Sequence, residues 1–363
     1  MKKVLHILGH LRYSGAEVML ALAAPYFREQ GLDTHILSIG EEKDYAPVLE
    51  ERGYTLHHIQ GTKTLSYFIK LYKFLKEQRY DVVHIHPESV SFWHALTIKL
   101  AGSKSIVRTV HNVFQYQGFL RFVRAFQRIV ARKFLSVKFF SIGPSVEEFE
   151  RKHLFNETVV IPNWIDMNRF MPAKDEQEIL VNRQKLGIGS DALVLVSVGA
   201  STEVKNQRDI ITATANLLKQ RKDIYYIHVG DGPLQPELKA YTAELGISDK
   251  VYFVGQTRQV REILIASDIF VMPSRFEGLG NSLLEALSCA VPAVVYNVYG
   301  LKDLVENKKN GYIVEQDPTL LENAIAKLAD DKQMRKKMGK EARQKVLRDY
   351  DMKKSIDKML VYY

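Results

Sequence analysis

The chain has 363 residues, more than one core of ordinary size organises, so two domains are expected. Its 46% hydrophobic and 26% charged residues, with no low-complexity tract and no internal repeat, exclude disordered, fibrous and solenoid classes. One cysteine, Cys289, excludes a disulfide framework or a cysteine metal site, and the formal charge is +9.

That charge is uneven: residues 1–165 hold 22 Lys+Arg against 15 Asp+Glu, and ten of the eleven histidines. A basic half suits nucleic acid, an anionic membrane or an anionic substrate. No nucleic-acid motif accompanies it and the aromatic residues are mixed with aliphatic ones as in a core, so nucleic acid is set aside. The opening MKKVLHILGH has basic residues before an apolar run, but the run is short, broken by His6 and followed by no cleavage site. No apolar stretch reaches the length of a membrane span. The expectation is a cytoplasmic protein, peripheral on the inner face of the membrane.

In chain order, Val4 to Leu8 reads as a buried strand. It ends in GHLRYSGAE, where Ser14, Gly15 and Ala16 let a ligand approach a helix N-terminus. This is not the GxGxxG fingerprint, which disfavours a nicotinamide site. Strands follow at THILSIG (34–40), TLHHI and DVVHIH (81–86), and an amphipathic helix over Ser66 to Gln78 carries Phe68, Leu71, Tyr72 and Leu75 on one face. Alternating strands and helices predict parallel, doubly wound sheets with ligands at the strand carboxyl ends. That rule puts Gly15, His86 and His111, the last in SIVRTVHN, on one rim.

Next comes FLRFVRAFQRIVARKF (119–134), in which Arg121, Arg124, Arg128 and Arg132 recur at helical steps. They are expected to line one face, as a membrane or acceptor surface; solvated arginines at the edge of a buried helix are the ordinary alternative. Ser145 with Glu148 reads as a capping box, and VVIPNWID leads into a boundary between Asp166 and Pro172. Leu193 to Val198 begins the second domain, with Lys205 in the following loop.

The stretch from Asp268 to Pro292 carries the most chemistry. Ile269–Met272 is a buried strand, SRFEGLGN a glycine turn, and SLLEALSCA a helix whose first amides make an anion site. Glu277 and Glu285 flank it, and carboxylates there suit hydroxyls rather than the anion. A sugar nucleotide, with phosphates between hydroxylated rings, fits such a site.

Glu277 and Glu285, seven residues between them within PSRFEGLGNSLLEAL, resemble the signature of the family 4 retaining glycosyltransferases. The resemblance covers nearly the whole chain. It implies a GT-B fold, two Rossmann-like domains facing a cleft with a C-terminal helix crossing back to the first. The expected limits are 1–168 for the N-terminal acceptor-side domain, 169–345 for the nucleotide-sugar domain and 346–363 for the returning helix. It implies catalytic roles for His111, Lys205 and Glu277, with Ser14, Gly15, Asn281, Ser282, Leu283 and Glu285 binding the donor. It also implies a UDP- or GDP-linked donor as substrate, a glycan or lipid-linked acceptor in surface polysaccharide or glycolipid assembly, and no cofactor. The one Asp-x-Asp pair, Asp349 and Asp351, lies near the C-terminus, remote in sequence from the candidate donor residues, and no His/Cys cluster is seen, so no catalytic metal is expected. Ser14 replaces one family glycine, Trp164 stands where Gly is usual, and Ala200 stands where an Arg is common five residues before the Lys. Ala200 leaves open a non-enzymatic membrane or assembly protein on a transferase fold. A sugar-nucleotide epimerase shares the architecture but needs acid/base groups this pattern lacks, and a carbohydrate phosphorylase needs a Schiff-base lysine.

Overall fold

A computed structural model describes residues 1–61 and 63–363. The chain forms two compact units, one of Met1–Trp164 with Asp351–Tyr363, the other of Ile165–Tyr350. Each is built on one parallel sheet, as alternating apolar strands and amphipathic helices require.

In the first unit the strands are β1 Lys2–Leu8, β2 Leu32–Ser38, β3 Thr55–His58, β4 Val82–Ile85, β5 Ser105–Val110, β6 Val137–Ser141 and β7 Val159–Val160. Their order is β3-β2-β1-β4-β5-β6-β7, so the winding reverses between β1 and β4. Val4, Leu5, Ile7, Val82, Val83 and Ile85 are fully buried, because helices cover both faces of the sheet. The helix Gly15–Glu29 lays Leu20, Ala23 and Phe27 onto it, and Ile356 and Met359 of the helix Met352–Leu360 join the same core. Ser105 Oγ donates to the Tyr362 carbonyl at 2.8 Å and Tyr26 Oη to Asp357 Oδ1 at 2.6 Å. The C-terminal helix thus completes the first sheet's covering layer. The helix before it, Lys332–Asp349, stays with the second unit, so the returning segment starts at Asp351.

The second unit holds β8 Leu193–Val198, β9 Ile224–Val229, β10 Val251–Gly255, β11 Ile269–Met272, β12 Ala293–Tyr296 and β13 Gly311–Val314. Their order is β10-β9-β8-β11-β12-β13, with the reversal between β8 and β11. Such a reversal splays the outgoing loops apart and opens a binding crevice at the strands' carboxyl ends.

Three local expectations are corrected. The helix starts at Pro144, whose fixed φ suits a first turn, with Gly143 at the N-cap, so Ser145 lies inside the first turn rather than at the cap. In the helix Leu65–Gln78 the buried face is Tyr67, Leu71 and Leu75, while Tyr72 is exposed. The third concerns the arginine-rich helix Gly118–Lys133, where Arg128 is buried and not a surface group. Its Nε lies 2.6 Å from Glu150 Oε2 and its Nη2 lies 3.1 Å from Glu88 Oε1. Glu88 also binds Arg108 and, at 2.5 Å, the Tyr116 hydroxyl. Burial works against charge on Glu88, but Arg108 and Arg128 outweigh it and hold its carboxyl below the usual range. Of the other three arginines, Arg121 donates to the His153 carbonyl, Arg124 to Gln127 and Arg132 to Glu157. The charged stripe is turned toward these acceptors, of which Gln127 is on the same helix and His153 and Glu157 lie further along the chain.

Candidate functional site

In the second unit, candidate residues gather at the carboxyl ends of β8 and β11. The loop after β8 carries Lys205, and the helix Gln207–Leu218 follows after Asn206 in the left-handed region, φ 53°. The loop after β11 carries Glu277 and leads into the helix Asn281–Ser288 through Gly280, φ +87°. A Cβ on Gly280 would meet Leu301 Cδ2 at 2.8 Å, so glycine is required there by conformation and by space. The Arg275 amide donates to the Val204 carbonyl at 2.8 Å and Ser282 Oγ to the Val198 carbonyl at 2.9 Å, which ties the two loops together.

Lys205 Nζ lies 2.5 Å from Glu277 Oε1. Both side chains are partly buried, so the pair is shielded yet reachable. The helix ladder begins with the Leu284 amide on the Gly280 carbonyl, leaving the Ser282 and Leu283 amides outside it. These amides and the helix dipole favour an anion. Glu285, one turn inside, is half-buried, and no hydrogen bond to its carboxylate is found among the described residues. Burial pushes its pKa up to about 7, against a smaller opposing effect of Arg169. An uncompensated carboxylate in that setting is suited to accept from neutral hydroxyls. Ala200 offers no cation; its carbonyl accepts from Gln207 Nε2 at 3.0 Å.

In the first unit, Ser14 caps the helix Gly15–Glu29, and its hydroxyl donates to the buried Glu17. Gly15 is exposed at the first helical position. Near it lies a row of imidazoles that sequence reasoning saw only in part. His111 Nε2 is 2.9 Å from His86 Nδ1, and His86 Nε2 is 3.2 Å from His6 Nδ1. His84 stacks on His86 with centroids 4.3 Å apart and binds the Tyr363 hydroxyl at 2.6 Å and Thr109 Oγ1 at 2.7 Å. The available signal was the two-residue spacing of His84, on β4, and His86, just past the end of β4, with His6 of β1 in register with His84. A small cavity borders the row, lined also by Asn163 and Trp164. Trp164 is buried and donates its indole N–H to the Met19 carbonyl at 3.0 Å.

Burial first, then the Arg108 charge, pushes His111 down to about 4, so it is a neutral imidazole near pH 7. It can exchange hydrogen bonds with hydroxyls but brings no charge. Nitrogens of His6, His84 and His86 lie within 4.8 Å of one another, yet both nitrogens of His84 and of His86 already have partners. Only His6 Nε2 is left open, so a metal ion would have to break this row to bind.

Residues 13–169 match the model of Glycosyltransferase Family 4, and residues 178–345 match Glycosyl transferases group 1. An Escherichia coli UDP-Gal:alpha-D-GlcNAc-diphosphoundecaprenol alpha-1,3-galactosyltransferase is 30% identical over 317 residues, 84% of this chain and 81% of that protein. The chain belongs to the family 4 glycosyltransferases. This glycosyltransferase is also similar in fold to Anabaena Alr3699/HepE, whose crystal structure with UDP superposes with a TM-score of 0.86 at 20% identity over 99% of both chains. A crystal structure of HepE with UDP-glucose superposes at 0.84, at the same identity and coverage. The GT-B architecture, two Rossmann-like parallel sheets with a C-terminal helix returning to the first, is therefore that of this glycosyltransferase. It uses a nucleotide-sugar donor, as its family does. Among the described residues, no helix is long and apolar enough to cross a membrane.

Proposed function

We propose that this glycosyltransferase moves a hexose from a UDP-linked donor, with retention, to a hydroxyl of a lipid-diphosphate-linked glycan. The Lys205–Glu277 pair, beside the amides of Ser282 and Leu283, carries the reading. On donor binding the pair opens: Lys205 turns to the diphosphate and Glu277 accepts from sugar hydroxyls. Asn281, Ser282 and Leu283 hold the diphosphate, and Glu285 holds the ribose. For Ser14 and Gly15 the role is diphosphate binding, as the family resemblance implies, and for His111 it is to orient the sugar as a neutral hydrogen-bonding group.

The bond from the anomeric carbon to the diphosphate oxygen breaks while the acceptor oxygen bonds to that carbon from the same face. The acceptor proton passes to the departing phosphate oxygen, so no strong protein base is needed. Negative charge grows on the leaving group, where fixed amides and one ammonium stabilise it in the transition state. The UDP preference and the lipid-diphosphate acceptor rest on what the E. coli relative and HepE act on or bind.

Calorimetry with UDP and GDP, followed by transfer from UDP-hexoses to a GlcNAc-diphospholipid with NMR of the new anomeric linkage, tests the reading. Tighter UDP binding and an α-linked product from an α-linked donor are expected; an inverted linkage or GDP preference would overturn it.

A further inference from the structure

His86 stands between two other imidazoles, its Nδ1 2.9 Å from His111 Nε2 and its Nε2 3.2 Å from His6 Nδ1. The row is braced along its length. His6 is fully buried and stacks on Phe27 with ring centroids 5.9 Å apart. His84, held by Tyr363 and Thr109, stacks on His86. At the other end His111 is half-buried, and its Nδ1 has no partner among the described residues.

Burial pushes His6 down to about 3 and His111 down to about 4, and it holds His86 well below the ordinary value, so all three rings are neutral near pH 7. A neutral imidazole has one N–H and one lone pair. Both links join an Nε2 to an Nδ1, so both are hydrogen bonds only when the proton sits on the same nitrogen in all three rings. If every Nδ1 carries it, His111 presents an N–H at its open end; if every Nε2 does, His111 presents a lone pair. Moving one proton alone sets two N–H groups or two lone pairs against each other, which leaves shielded polar groups unpaired. The outward nitrogen of His111 therefore changes character only when His86 and His6 change with it.

Packing does not ask for this arrangement. Apolar rings in place of His6 and His86 would fill the same space at little cost, whereas His6 Nε2 is buried with no partner among the described residues. The one accessible end of the row is His111.

We propose that His86, held by His6, is a positioning residue that sets the orientation, and the donor or acceptor character, with which His111 meets the donor sugar. The assignment rests on the sugar-orienting role of His111 given above; the shared tautomer of the row does not.

Nitrogen-15 NMR of ring-labelled histidines in the whole chain near pH 7, with steady-state kinetics on UDP-hexose, tests it. His6, His86 and His111 of the parent should show one and the same tautomer. His86→Phe keeps a ring against His84 but cuts both links, so His111 should become a mixture of tautomers. In that variant kcat should fall about tenfold through loosened sugar orientation, while UDP, which lacks the sugar, binds as it does to the parent. His86→Asn, whose amide still offers His111 a donor and an acceptor, should recover part of kcat. Unlike tautomers among the three rings of the parent, or a charged ring there, would overturn the proposal. So would an unchanged kcat in His86→Phe, or a loss of UDP affinity matching the loss of kcat, the mark of a purely structural role. A shared tautomer in a parent that transfers no hexose from UDP-linked donors would sink the UDP-hexose reading and leave the coupled row standing.

Discussion

Lys205 and Glu277 neutralise each other across 2.5 Å, although they lie 72 residues apart and on the loops of two different strands. The pair keeps a lone ammonium and a lone carboxylate from facing each other's site unsatisfied before the donor arrives. Lys205→Ala should lower kcat by about 10²–10³ through lost leaving-group stabilisation. It should also weaken UDP binding, since Glu277 would then face the phosphates unpaired. Glu277→Gln frees the lysine, so UDP binding should hold while transfer falls. Steady-state kinetics with calorimetry separate the two effects; unchanged turnover in Lys205→Ala would remove it from the mechanism.

Glu285 adds a pH dependence. Its folded pKa, about 7, lies above the ordinary 4.5, so the folded state holds this proton more tightly than the unfolded chain. Below the ordinary value the group costs nothing; the penalty grows as pH rises toward the folded value and is constant beyond it. Glu285→Gln should therefore be more stable than the parent near pH 8, by up to about 3 kcal/mol, and equal to it near pH 4. Urea unfolding at the two pH values measures the difference. Ribose hydroxyls prefer the ionised carboxylate, so UDP affinity of the parent should fall as pH drops below about 7, and more than that of Glu285→Gln.

The buried Arg128–Glu150 pair is a further test. Arg128→Met leaves Glu150 and part of Glu88 uncompensated and should destabilise the protein by about 3–5 kcal/mol. Pairing it with Glu150→Leu should recover part of that loss, which a double-mutant cycle in urea would reveal as a coupling energy.

Tyr363→Phe removes the hydroxyl that satisfies His84 Nδ1 at 2.6 Å in a buried setting. A loss of about 1–3 kcal/mol is expected, since the imidazole nitrogen is left without a partner. Chemical denaturation is the readout, and no loss would show that the row of histidines re-pairs.

Much of this was legible in the order of residues. Ile269–Met272 and Leu193–Val198 run as continuous apolar segments because both sheet faces are covered, and the structure has strands over those residues. The glycine turn before Asn281 announced itself through the backbone angle that Gly280 must adopt. The rotation of the helix Gly118–Lys133 did not. Periodicity distinguishes two faces but says nothing of which one turns inward, and that was decided by Glu88 and Glu150, outside the helix. His6, His84 and His111 meet only because β1, β4 and β5 are neighbours, an order that sequence proximity does not reveal. Ser145 had the spacing of a cap, but Pro144 already opened the helix and moved it inside.

The segment Asp351–Tyr363 has a consequence for how the protein is made. It closes the core begun by Lys2–Leu8, yet leaves the ribosome only after the whole of Ile165–Tyr350. At about 5–20 residues per second, the nascent first sheet waits on the order of 10–40 s with its Phe27 and Phe140 layer unfinished. During that interval the earlier half is the vulnerable one, and chaperone capture during translation should concentrate on it.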